Sequence, residues 1–146
     1  MPKVDIAKVP VKSRTFYPAQ FQAECKGRHK QALGDAIGLT QFGVNITRIE
    51  PGQTSALRHW HEQEDEFIYM LQGELVLAEN DGEVVLKAGS GVAHRLINRS
   101  NRDAVYFEVG TRAKTERVHY PDVDLELVRD EKGRRYQRRN GEPYPP

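Results

Sequence analysis

The sequence predicts an all-β fold, a sandwich or a closed barrel. Three observations carry that expectation: short apolar runs recur through the middle of the chain, turn residues separate them at regular spacing, and no segment shows the period of an amphipathic helix. At 146 residues the chain is about one domain's worth, long enough for a real hydrophobic core.

Residues 1–38 show little regular period and are broken by Pro2, Pro10, Pro18, Gly27 and Gly34, so they read as an extended N-terminal arm with room for one short strand or turn. From Leu39 the pattern changes, and residues 39–112 read as the barrel. Val44, Ile46 and Arg48 alternate with Asn45, Thr47 and Ile49, which suits a strand ending at Glu50-Pro51-Gly52. Glu66 to Leu71, Glu74 to Glu79 and Glu83 to Lys87 follow as strands, the first pair parted by Gly73 and the second by Asn80-Asp81-Gly82. Asp-Gly between two such runs signals a hairpin, because glycine takes positive φ without a Cβ clash. His94 to Ile97 and Ala104 to Val109 add two strands around Asn98-Arg99-Ser100-Asn101. Residues 113–146 read as a polar C-terminal extension, in which Val123, Leu125 and Leu127 mark a last strand or an arm packed on the barrel.

Composition narrows the function classes. With 38% hydrophobic and 29% charged residues, wholesale disorder is excluded. Basic and acidic residues balance at 22 against 21, which gives no global reason to expect a nucleic-acid partner. The basic run Lys132, Arg134, Arg135, Arg138 and Arg139 reads as a solvated tail, or as an arm pairing with acidic groups of its own protein. Cys25 is the single cysteine, so no intrachain disulfide forms, which fits a reducing compartment. No apolar stretch has the length of a signal-peptide core or a membrane span, so the expected setting is soluble and cytoplasmic, with no membrane partner.

The chemistry concentrates in Arg58-His59-Trp60-His61-Glu62-Gln63-Glu64-Asp65-Glu66. On a strand, residues two apart share a side, so His59 and His61 project together. Glu66 opens the next apolar run and meets both imidazoles if the chain turns back as an antiparallel neighbour. Two neutral imidazoles and a carboxylate suit one divalent ion: Fe, Mn, Ni or Zn. An isolated His-x-His is more often a pair of surface histidines; here Gly52 opens the segment and Gly73 closes it.

Gly52, His59, His61, Glu66 and Gly73 together resemble the first motif of the cupin superfamily. Gly91-Val92-Ala93-His94, followed by Asn98, resembles the end of the second, which supplies a third histidine. Leu39-Thr40-Gln41-Phe42-Gly43, Arg58-His59-Trp60-His61, Glu64-Asp65-Glu66-Phe67, Asn98-Arg99-Ser100 and the tail from Arg135-Tyr136 to Tyr144 are similar to small single-domain bacterial cupins. The resemblance implies a double-stranded β-helix, a jelly-roll barrel whose mouth holds a metal on His59, His61, Glu66 and His94, and it favours a homodimer. The interval from Gly52 to His59 is one residue longer than in the common motif, which agrees with the narrower family. Gly89-Ser90-Gly91 runs almost directly into His94, without the turn and proline of the usual second motif, which makes His94 the ligand most open to displacement. His29 and His119 lie outside both motifs and read as surface or structural histidines.

If Glu66 faces inward, Ile68 and Met70 share its side, while Leu96 and Asn98 share that of His94; these four are the expected pocket lining. Such a pocket suits a small organic ligand. The opposite face carries Phe67, Tyr69 and Leu71, so the arm, the Val123 to Leu127 segment or a second subunit should cover it. Trp60 reads as a packing residue at the rim or at a subunit contact. The leading function is a metal-dependent enzyme acting on a small metabolite, with oxygenation, decarboxylation and isomerisation all open. A non-catalytic binding or sensory module and a vestigial, structural barrel are the alternatives.

Overall fold

The structure is a computed structural model that describes residues 3–89 and 95–145. The described residues form twelve strands: β1 (Val11–Lys12), β2 (Arg28–Ala32), β3 (Phe42–Ile49), β4 (Trp60–His61), β5 (Glu66–Gln72), β6 (Glu74–Glu79), β7 (Gly82–Lys87), β8 (Arg95–Ile97), β9 (Ala104–Thr111), β10 (Glu116–Tyr120), β11 (Leu125–Asp130) and β12 (Gly133–Gln137). Among the described residues, helical structure is confined to single 3-10 turns and to α1 (Leu33–Ala36). Every ladder is antiparallel. The chain is a jelly-roll barrel, the all-β class that its turn spacing predicts.

Three sheets build it. The first runs β1-β2-β3-β9-β5, the second β12-β11-β10-β4 and the third β7-β6-β8. The hairpin of β6 and β7 closes at Asn80-Asp81, with Gly82 at φ +136° beginning the return strand. The segment from Thr54 to His61 joins the second and third sheets. Thr54 bridges Ile97 beside β8, and Trp60 and His61 pair with His119 and Val118 of β10. This single crossing makes one wall of two sheets, and the first sheet stands opposite.

Two buried clusters hold the walls together. Ile49, Ile68, Met70, Leu75, Leu77, Leu86, Leu96, Ala104 and Tyr106 pack the first sheet on the third. Tyr17, Cys25, Val118, Tyr120, Leu125, Leu127 and Tyr144 tie the second sheet to the segment before β2. Each large apolar side chain buried in this way stabilises the fold by about 1.5–3 kcal/mol. Residues 1–38 thus supply β1 and β2, and residues 113–146 supply three of the four strands of the second sheet. The basic run is absorbed the same way. Arg135 makes two hydrogen bonds to Asp130 at 2.9 Å, and Arg139 donates to the backbone carbonyls of Tyr120, Pro121 and Val123.

Phe67, Tyr69 and Leu71 point outward and stay 52%, 43% and 39% exposed. The Val123 to Leu127 segment does not cover them, because Leu125 and Leu127 are committed to the second cluster.

Candidate metal centre

His59 and His61 sit at the end of the crossing segment, and Glu66 begins β5 after one tight turn. Nε2 of His61 lies 3.5 Å and Nε2 of His59 3.9 Å from the same Glu66 oxygen, Oε2. Ligand atoms from all three side chains lie within 4.8 Å of one another. His59, His61 and Glu66 are thus brought together, but not by an antiparallel return: β4 pairs with β10 and β5 with β9, so the ligands meet across two sheets. His94, expected as a further ligand, lies outside the described residues.

The orientation of each imidazole is fixed from behind. Nδ1 of His59 is 2.8 Å from the Leu57 carbonyl, so that nitrogen carries the proton and donates it, and Nε2 keeps its lone pair. Nδ1 of His61 is 3.5 Å from Oε2 of Glu116. Both ring nitrogens of His61 are buried without a hydrogen bond among the described residues. A buried imidazole without a hydrogen bond is costly, and a cation on Nε2 would satisfy that nitrogen. This donor set, two imidazoles and a carboxylate, fits a divalent transition metal.

The electrostatics agree. Burial opposes the charge on Glu66, yet His61, His59 and Lys30 outweigh it and hold the carboxyl down to about 2. Burial likewise opposes a proton on His61, but Glu66, Glu116 and Glu64 raise its pKa above the ordinary histidine value. Glu66 is thus held as a carboxylate, the form that binds a cation.

Residues 45–110 match the Cupin domain family. A cupin-superfamily sugar phosphate isomerase from Silicibacter pomeroyi superposes with a TM-score of 0.93 at 38% identity, covering 97% of this chain and 96% of that one. The chain belongs to the cupin superfamily. A proposed sugar phosphate isomerase from Acidithiobacillus ferrooxidans is similar to this cupin with a TM-score of 0.72 at 28% identity, over 78% of this chain and 79% of that one. The tetracenomycin polyketide synthase protein TcmJ of Streptomyces glaucescens is 28% identical over 96 residues, 61% of this cupin, which spans 64% of that protein's length.

The three side chains open into a cavity of about 240 Å³ between the first and second sheets. Its lining follows the two-residue period of the strands: Arg28 and Lys30 from β2, Tyr106 and Glu108 from β9, Glu116, Val118 and Tyr120 from β10, Leu127 and Arg129 from β11, Arg134 and Tyr136 from β12. Ile68 and Leu96 line it, as the alternation around Glu66 and His94 predicts. Met70 and Asn98, expected beside them, lie elsewhere. Met70 is wholly buried in the first cluster and does not line the cavity. The Asn98 amide donates to the carbonyls of Ile49 and Arg102 and accepts from Ser100, so it shapes the turn between β8 and β9.

Sequence reasoning missed Glu116. Its side chain is 1% exposed and accepts hydrogen bonds from the backbone N–H groups of Glu62, Gln63, Glu64 and Arg117. The same carboxylate therefore ties down the loop between His61 and Glu66 while facing His61. An outer set of contacts holds the crossing in place. Arg58 grips Asp122 through both carboxylate oxygens. Trp60 stacks on His119 with ring centroids 4.1 Å apart, and His119 reaches Glu62 at 2.6 Å and Glu126 at 3.1 Å. His29 is hydrogen bonded to Ser13 and Glu50. Both outlying histidines are structural in these positions.

Proposed function

We propose that this cupin is a metal-dependent enzyme that acts on a small organic metabolite in the barrel cavity, and that its reaction is the isomerisation of a phosphorylated sugar. The observation that carries the reading is the convergence of His59, His61 and Glu66 at a cavity, with both nitrogens of His61 buried and without a hydrogen bond among the described residues. The choice of isomerisation is supported by 38% identity along nearly the whole chain to a protein described as a sugar phosphate isomerase. His94 is the proposed fourth ligand.

One bound divalent ion (Fe, Mn, Ni or Zn) would supply Lewis acidity toward a substrate oxygen. An aldose–ketose interconversion moves a proton between adjacent carbons, and a cavity carboxylate must carry it. Glu116 is committed to backbone amides and Glu64 to Arg129. Glu108 remains on the wall, held by Lys30 at 2.5 Å and Asn45 at 3.2 Å, and we assign the proton transfer to it. A homodimer that covers Phe67, Tyr69 and Leu71, working in the cytoplasm, completes the proposal.

Elemental mass spectrometry of untagged protein beside His61→Ala tests the centre. About one equivalent of metal, lost in the variant while the fold is kept, is expected; unchanged metal content in the variant would sink the assignment. NMR of aldose and ketose phosphates incubated with the loaded protein tests the reaction. Tight binding without interconversion would turn the reading to a non-catalytic binding module.

A further inference from the structure

The charged side chains of the cavity do not pair off evenly. Four carboxylates face it, and each has an engagement: Glu66 with the two histidines, Glu116 with backbone amides, Glu64 with Arg129, Glu108 with Lys30. Four cationic side chains face it too, and two of them, Arg28 and Arg134, have no carboxylate partner among the described residues. Arg28 is half-buried and gives one of its five N–H donors to the Ser55 carbonyl at 2.9 Å. Arg134 lies at the exposed mouth, 5.6 Å over the Tyr136 ring, and donates only to the Tyr136 hydroxyl. Arg129 keeps its Nε–H buried and unpartnered. With four charges of each sign on the wall, a divalent ion on the ligand set would leave the cavity with a surplus of two positive charges.

We infer that Arg28, with Arg134 at the mouth, forms an anion subsite in this cavity that takes the phosphate group of the substrate and sets its distance from the metal centre. The inference rests on reading the cavity as the substrate site. A guanidinium with free in-plane donors is the side chain best shaped for bidentate contact with a phosphate, and a half-buried one is weakly screened. Arg28 and Lys30 share a face of β2, so the Lys30–Glu108 pair stands beside the subsite and brings the proton-carrying carboxylate next to an anchored substrate.

The test is calorimetric titration of inorganic phosphate into metal-free protein, with thermal melting to check each variant's fold. Wild type is expected to bind phosphate without metal, Arg28→Gln to lose about tenfold or more in affinity, Arg28→Lys to recover part of it, and Arg134→Gln to lose about threefold. Glucose 6-phosphate should compete with phosphate, and glucose should not. Binding that appears only with Mn(II) present, or that Arg28→Gln leaves unchanged, overturns the subsite and leaves the metal reading standing. Arg28-dependent binding in a protein that retains no metal would do the reverse. If Arg28→Gln does not fold, Arg134→Gln decides: affinity equal to wild type overturns the subsite.

Discussion

Glu116 stands 3.5 Å behind His61, with a side chain 1% exposed to solvent and 50 residues further along the chain than Glu66. One buried carboxylate aligns the imidazole and, through three consecutive backbone amides, fixes the loop that carries the chain from His61 to Glu66.

Glu116→Gln should therefore act on two properties at once. The amide nitrogen cannot accept from the Glu64 N–H, which leaves a buried donor unpaired at about 1–3 kcal/mol. The loss of the carboxylate behind His61 should weaken metal binding about 10- to 100-fold. Chelator competition reads the second effect and chemical denaturation the first. Wild-type values in both would show that Glu116 plays neither part.

Acid and metal should compete for the same imidazole. His61 has a pKa raised above its ordinary 6.5, so in metal-free protein its contribution to stability is fully present below pH 6.5 and is lost as pH rises through the raised value. Glu66, held to about 2, contributes fully above 4.5 and loses its contribution as pH falls toward 2. For these two groups, metal-free protein is then most stable between about pH 4.5 and 6.5, whereas metal affinity should climb as pH rises through the His61 pKa. Melting curves with and without chelator across pH 4–9 check both limbs. A metal-free melting temperature that rises steadily through neutral pH would contradict this account.

Gly73 should resist substitution more than other glycines with positive φ. It takes φ +74° between β5 and β6, and a Cβ there would lie 2.7 Å from the Asp103 carbonyl oxygen. Gly133 has φ +100° but open space around it. Gly73→Ala should cost about 1–3 kcal/mol and lower the melting temperature by several degrees, clearly more than Gly133→Ala. Equal losses in the two variants would mean that backbone strain alone decides.

Cys25 should be a slow thiol. It is 1% exposed, burial raises its pKa, and its Sγ lies 3.4 Å from Thr54 Oγ1. Alkylation of native protein by iodoacetamide at pH 8 should proceed far more slowly than in urea, followed by mass spectrometry. Comparable rates in the two conditions would place the thiol in a segment that opens readily.

The half of the site contributed by neighbours in sequence was legible from the sequence alone. His59 stands one residue before β4, His61 ends that strand and Glu66 opens β5, so close neighbours in sequence reach the site together. The hairpin at Asn80-Asp81 was legible for the same reason. Of the second sheet only β11 showed, through Val123, Leu125 and Leu127, because the inner face lines a polar cavity. On β10 and β12, Glu116, Val118 and Tyr120, then Arg134 and Tyr136, mix charge with apolar groups, and no clear hydrophobic period survives there. Leu125 to Val128 are all buried, since both faces of β11 are covered. Arg28 and Lys30 were hidden in a segment whose only visible signals were its prolines and glycines.

β4 and β5 are each an edge strand of their own sheet, and the four-residue corner between them leaves His61 on one side and Glu66 on the other. An ion shared by those two side chains would be a clasp across a seam that backbone hydrogen bonds leave open. Its grip would exist only after both sheets had formed, so occupancy would report completion of the fold. Hydrogen exchange in residues 61–66 would then slow on metal loading while β12, at the far edge of the second sheet, kept its own pace.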